Sequence, residues 1–190
     1  MTGDIGIFGG AFDPPHDGHV ELAREAIAHF ELSRLLVRVI AEPGHKEVET
    51  APQIRLLLTE LAFAPIDEAD VSLDPFARTV DSLEELGFAD PIFLIGADEL
   101  ADFAAWSRPE RVLELARIGA ATRPGTDSRE LERLLARLPR PERVELFPIT
   151  PLAISSSEIR NRVAEGRSIA DLVPAAVAAE IERLDLYSGS

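Results

Sequence analysis

Residues 9–19 read GGAFDPPHDGH. The stretch follows the apolar run Ile5–Phe8 (IGIF), and behind it Val20, Leu22, Ala23, Ala26, Ile27 and Phe30 recur at helical spacing. A stiff, polar turn carrying both Pro14 and Pro15 therefore joins a buried strand to a helix. In an open α/β sheet, ligands sit beyond the carboxyl ends of the strands, and the first strand-to-helix turn is the usual phosphate site.

The rest of the chain repeats that strand-to-helix step. Leu35–Ile40 reads as the second buried strand. Thr50-Ala-Pro-Gln53 has capping-box spacing and predicts a helix that turns Ile54, Leu57, Leu58 and Leu61 inward. Val71–Leu73 is a short strand, Thr79–Leu86 a helix stopped at Gly87, and Pro91–Ile95 a central strand ending in Gly96-Ala-Asp98. Pro109–Leu115 and the Arg-rich 127–138 segment read as helices, Ile118–Thr122 and Val144–Phe147 as strands. ISSSEIR (Ile154–Arg160) opens a further helix, with Ser155 and Glu158 at capping-box spacing, and Ala175–Leu184 closes the series. Alternation of this kind predicts an α/β fold: a Rossmann-like, doubly wound parallel sheet with helices on both faces and a small C-terminal helical segment. Residues 1–190 read as one domain, its C-terminal helical part starting at about 155.

Composition narrows the function. The formal net charge of −15 repels nucleic acid and anionic membranes, so neither is an expected partner. Cysteine is absent, which excludes disulfides and thiolate zinc sites and fits a reducing cytoplasm. There is no signal-like N-terminus and no apolar run long enough to span a bilayer. Lys46 is the only lysine, and all other basic residues beside the four histidines are arginine. Oligomeric state, including a homo-oligomer, is left open.

Two segments carry chemistry. Gly9 and Gly10 lack Cβ atoms and let a nucleotide lie against the backbone. His16 and His19 stand three apart around Gly18, near a helix N-terminus whose N–H groups favour anions. The pattern is neither GxGxxG nor a Walker loop, and no third ligand or glutamate supports reading HxxH as a metal site. No nucleophile-plus-base pair is evident, so the expected gain is positioning and charge stabilisation at a phosphoryl group. In ISSSEIR, three serines ahead of a helix and Arg160 one turn in supply a second anion site. Two such sites suit a triphosphate.

GGAFDPPHDGH together with ISSSEIR resembles the nucleotidyltransferase superfamily with the (H/T)xGH signature. Length and the C-terminal helix are similar to bacterial nicotinate mononucleotide adenylyltransferases. Lesser matches are His45-Lys46, Gly96-Ala-Asp98, Trp106, Arg123-Pro-Gly125 and Leu186-Tyr187. The resemblance implies in-line transfer of AMP from ATP to nicotinate mononucleotide, giving deamido-NAD and pyrophosphate in NAD biosynthesis. It implies Mg²⁺ bound through the ATP phosphates, with no ligands from protein side chains. His16, His19 and Arg160 would be catalytic. ATP would lie on Gly9, Gly10, Ala11, Phe12, His16, Gly18, His19, Gly96, Asp98, Ile154, Ser155, Ser156 and Arg160. The mononucleotide would meet Asp13, Lys46, Arg78, Thr79, Trp106 and Arg123.

One segment departs from the family. Where relatives carry a PSYT-like sequence, this chain has PFARTVDSL, with Arg78 in place of the tyrosine. An arginine there suits a carboxylate, which favours nicotinate; the amide, nicotinamide mononucleotide, is the nearest alternative. A phosphopantetheine adenylyltransferase, a cytidylyltransferase of the glycerol-phosphate type and a non-catalytic nucleotide sensor are the other readings.

Overall fold

The IGIF run becomes the central strand of the molecule. The computed structural model describes residues 4–44, 48–122, 128–150 and 152–189; the side chains of 97, 98, 128 and 130 also lie outside what is described. The strands are β1 (Ile5–Gly10), β2 (Arg34–Ile40), β3 (Ala69–Asp74), β4 (Ile92–Gly96), β5 (Arg117–Thr122) and β6 (Val144–Pro148). The helices are α1 (Asp17–Phe30), α2 (Pro52–Phe63), α3 (Thr79–Leu86), α4 (Ala97–Asp102), α5 (Pro109–Leu115), α6 (Ser128–Leu135), α7 (Ser156–Ala164) and α8 (Ala175–Arg183). Short 3₁₀ turns at Phe103–Ala105 and Pro141–Arg143 complete the set.

All six strands run parallel in the order β3-β2-β1-β4-β5-β6. Phe8 lies between Val37 on one side and Leu94 on the other. Strand order reverses between β1 and β4, so their carboxyl ends, Gly10 and Gly96, border the crevice where such sheets take ligands.

The two-residue period of the strands fills both faces. Phe8, Leu35, Val37, Val39, Ile92 and Leu94 pack with α1, α2 and α8. Ile7, Leu36, Phe93, Ile95, Ile118 and Ala120 pack with α3, α5 and the Leu100–Phe103 turn. Strands buried on both sides read as near-continuous apolar runs, and IGIF and PIFLI were of that kind. The expected doubly wound parallel sheet is therefore the one observed. No helix among the described residues is long and apolar enough to cross a membrane.

Two local expectations fail around α2. The Thr50–Gln53 capping box does not form: Ala51 precedes the helix without a side-chain cap, and Pro52 opens it. The Thr50 hydroxyl donates to Asp13 Oδ1 at 2.6 Å instead. The helix is also rotated from the expected phase. Arg55, Leu58, Thr59, Ala62 and Phe63 are buried, Ile54 and Leu61 lie partly buried against the core, and Leu57 faces solvent. Arg55 accounts for the rotation. It is fully buried and donates to the carbonyls of Thr50, Ala11, Ile40 and Ala41 at 2.7–3.2 Å. Those acceptors close the ends of β1 and β2, and the helix turns to reach them.

Candidate active site

The turn after β1 is built from packed aromatic rings rather than from polar contacts alone. Phe12 takes a left-handed backbone (φ 49°) and is 2% exposed, with its ring edge-on to Phe8, Phe63 and His19. Gly10 is required by that fold-back, since a Cβ there would stand 2.9 Å from the Phe12 ring. Any side chain at position 10 would push Phe12 out of the cluster that fixes His19.

The two histidines stack. Their ring centroids are 3.7 Å apart with planes 25° from parallel. His16 caps α1 in extended conformation, and Gly18 and His19 fall in its first turn, as the spacing predicted. A Cβ on Gly18 would stand 3.1 Å from the His16 ring, so the small residue admits the stack. The His16 backbone N–H donates to Nδ1 of His19 at 3.2 Å. That bond keeps Nδ1 unprotonated and places the proton of the neutral ring on Nε2. The His16 ring is buried, its Nδ1 has no hydrogen-bond partner among the described residues, and burial lowers its pKa to about 4. His16 is therefore neutral at physiological pH.

This shift carries a stability consequence. Between about pH 6.5 and 4 the unfolded chain takes a proton that the folded chain refuses, so stability falls as pH drops through that window. Burial raises the neighbouring Asp17 carboxyl above its ordinary value, which works in the opposite sense. Denaturant titrations at pH 7 and pH 4.5 should show the wild type losing more stability than His16→Gln, with a limiting difference on the order of 3 kcal/mol. Equal losses would show that His16 protonates freely in the folded state.

The second anion segment meets the first at this turn. Ser155 caps α7, its Oγ accepting from the Glu158 N–H at 3.2 Å, and Ile154 packs on the core beside it. Ser156 Oγ donates to the Pro14 carbonyl at 2.8 Å. Arg160 Nη1 donates to the Asp13 carbonyl at 2.8 Å, while its Nε pairs with Glu49 Oε1, also at 2.8 Å. Residues more than 140 positions apart thus frame one edge of the sheet.

Asp13 holds the frame together. Its carboxylate is 2% exposed and accepts from the Glu49 N–H at 2.6 Å, Thr50 Oγ1 at 2.6 Å and Tyr187 Oη at 2.7 Å. The sequence reading put Asp13 against the mononucleotide; the structure has the carboxylate engaged by three protein donors. Burial and the Asp13 carboxylate push the Tyr187 hydroxyl above its ordinary range, so it stays protonated and donating. Burial lowers Arg55 while Asp13 opposes that change, and the pair supplies opposite charges to the same interior.

The other described candidates follow the carboxyl ends of β3 and β4. Gly96 ends β4, with open space where a Cβ would be, and position 98 follows in α4. The side chain of Asp98 lies outside the described residues, as do Lys46 and Arg123 altogether. Trp106 is partly buried, edge-on to Phe93 at 6.1 Å between centroids, and the Phe93 tip reaches to 3.4 Å from a Cβ position at Gly9. Thr79 begins α3 and Arg78 precedes it, exposed. Sequence reasoning gave no role at the site to Arg55, Thr50 or Glu49. For Arg55 a signal existed, a lone arginine set among Ile54, Leu57 and Leu58.

The arrangement offers imidazole, hydroxyl and guanidinium groups around a crevice, a donor set that suits phosphate oxygens. Among the described residues no cluster of three or more His, Asp or Glu could hold a metal ion. A divalent cation that accompanies ATP fits here through the phosphates it would share with these donors.

Comparison with known proteins identifies the family. Residues 7–162 match the cytidylyltransferase-like family model. A protein of Thermomicrobium roseum named "Probable nicotinate-nucleotide adenylyltransferase" is 40% identical over 96% of this chain and 91% of its own length. A protein of Acidothermus cellulolyticus with the same name is 36% identical over 98% of this chain and 97% of its own. Among solved structures, Plasmodium falciparum nicotinic acid mononucleotide adenylyltransferase complexed with NaAD superposes with a TM-score of 0.77 at 20% identity, covering 99% of this chain and 98% of that one. The structure of the same enzyme complexed with APC gives 0.78 at 19% identity, covering 99% and 98%. A turn with stacked histidines at the strand-order switch, and near full-length likeness to these relatives, lead to one assignment. The chain belongs to the cytidylyltransferase-like family and, within it, to the nicotinate-nucleotide adenylyltransferases.

Proposed function

We propose that the chain transfers AMP from ATP to nicotinate mononucleotide, releasing pyrophosphate and forming deamido-NAD. The observation that carries this reading is the joining of the two anion-binding segments, Ser156 on the Pro14 carbonyl and Arg160 on that of Asp13, beside β1 and the β4 end. Relatives named for this activity and a neighbour complexed with NaAD support the choice of acceptor.

The chemistry follows from the residues. A phosphate monoester has its second pKa near 6, so at neutral pH the acceptor phosphate is already an ionised nucleophile and needs no general base. It attacks the α-phosphorus in line, the bond to the β-phosphate bridging oxygen breaks, and pyrophosphate leaves. His19, with its proton on Nε2, donates to the oxygens gaining charge, and neutral His16 assists from beneath the stack. Arg160, Ser155, Ser156 and the α7 N-terminus hold the leaving phosphates. The family uses a divalent metal with ATP; we take it to be Mg²⁺, which neutralises phosphate charge when bound. Gly9, Gly10, Ala11, Phe12, Gly18, Gly96, Asp98 and Ile154 form the nucleotide's bed. Lys46, Thr79, Trp106 and Arg123 meet the mononucleotide, and Asp13 acts by holding the turn. The chain acts as one nucleotidyltransferase domain, working in the cytoplasm.

Arg78 sets the preference for acid over amide in this reading, because it is exposed at the start of α3 and forms no ion pair among the described residues. Pyrophosphate release from ATP and Mg²⁺ with nicotinate mononucleotide, its amide and phosphopantetheine tests the assignment. Nicotinate mononucleotide should be the best acceptor, and Arg78→Ala should lower the acid-to-amide ratio of kcat/KM by about tenfold, the size of one lost charged contact. A wild type that prefers phosphopantetheine would overturn the reading, and an unchanged ratio would remove Arg78 from it.

A further inference from the structure

The last residues described fold back onto the turn that carries the histidines. Leu186 packs against the core, Ser188 Oγ closes a turn on the Asp185 carbonyl at 3.0 Å, and Tyr187 sends its hydroxyl to Asp13. Asp185 and Tyr187 both take left-handed backbone (φ 51° and 60°), which an L-residue adopts only when its surroundings demand it. A tail that merely covered the core would not need the phenolic oxygen, since phenylalanine has the same ring.

The oxygen's partner explains the need. Asp13 touches Arg160 by two routes. Its carbonyl accepts from Nη1, and its carboxylate Oδ2 pins the backbone of Glu49, whose side chain accepts from Nε. The orientation of the guanidinium therefore depends on where the Asp13 carboxylate sits. Thr50 and Tyr187 share Oδ1 of that carboxylate. A cavity of about 420 Å³ opens between the tail and Arg160 and Asn161, and across it the Tyr187 hydroxyl ties the tail to the turn by a hydrogen bond.

We propose that Tyr187 is a positioning residue for the transfer reaction: through Asp13 it holds Arg160 in the orientation that receives the ATP phosphates. The proposal rests on the reading of Arg160 as a phosphate ligand. It gives the C-terminal tail a part in nucleotide binding although Tyr187 itself touches no substrate.

Tyr187→Phe keeps the ring and removes only the hydroxyl. ATP affinity with Mg²⁺ is measured by titration calorimetry, with thermal midpoints and pyrophosphate release taken alongside. The expected result is ATP binding weaker by about five- to tenfold, with a thermal midpoint within about 2 °C of wild type. In an Arg160→Ala background the same substitution should weaken ATP binding no further, because the two residues act along one line. Unchanged ATP affinity in Tyr187→Phe overturns the proposal. So does a loss that persists undiminished in Arg160→Ala, or one that tracks a lowered thermal midpoint. A wild type that binds ATP yet transfers nothing to nicotinate mononucleotide defeats the acceptor assignment and leaves the calorimetric result for Tyr187 standing.

Discussion

Replacing His19 with alanine is expected to lower the turnover number for pyrophosphate release by about 100-fold or more, the size observed when one preorganised donor to a developing oxyanion is removed. The expectation is large because of how firmly the ring is set. Its Nδ1 accepts the His16 N–H, one face stacks on His16, and its edge meets Phe12. Such a donor needs no reorganisation as charge moves onto the phosphate, so little of its effect is lost to rearrangement. The loss should fall on kcat, with the KM for ATP changing by only a few-fold, because His19 contributes most after the reaction has begun. Turnover within about threefold of wild type would falsify the role.

The second large effect is on stability. Arg55→Met should destabilise the fold by about 3–5 kcal/mol, the cost of removing one member of a buried charged set. Four main-chain carbonyls lose their donor together, and the Asp13 carboxylate loses the cation buried with it. Methionine fills much of the volume, so the effect comes from polar groups left unmatched rather than from a cavity. The thermal midpoint should fall by on the order of 10 °C. A change below about 1 kcal/mol in urea titration would show that water reaches those carbonyls and that the arginine is dispensable. Lysine should not restore stability, since one ammonium cannot span acceptors spread from Ala11 to Thr50.

Much of the fold was legible because it is written in local period. IGIF and PIFLI announced strands covered on both sides, and Pro109–Leu115 was bounded correctly by the proline at its start. The histidine turn was legible for the same reason: glycine, proline and histidine constrain the backbone within a few residues of themselves. What stayed hidden was every contact made across the chain. Thr50 and Gln53 had the spacing of a cap, yet the Thr50 hydroxyl went to a carboxylate 37 positions away. The α2 phase was misjudged because counting apolar residues favours Leu57, while four carbonyls, three of them 14 to 44 positions away, turn Arg55 inward. Asp13 was read as a substrate contact because it stands in the signature. The three donors that occupy it come from positions 49, 50 and 187, and no spacing rule connects them.

The reach of Asp13 also orders events during synthesis. A ribosome makes the histidine turn well before the Tyr187 hydroxyl, which follows Asp13 by 174 positions. At roughly 5–20 residues per second, the carboxylate waits about ten seconds or more for that donor. Until then the nascent protein carries its signature in full and lacks the contact that finishes the turn. The turn that carries the histidines is therefore completed long after its own residues are made.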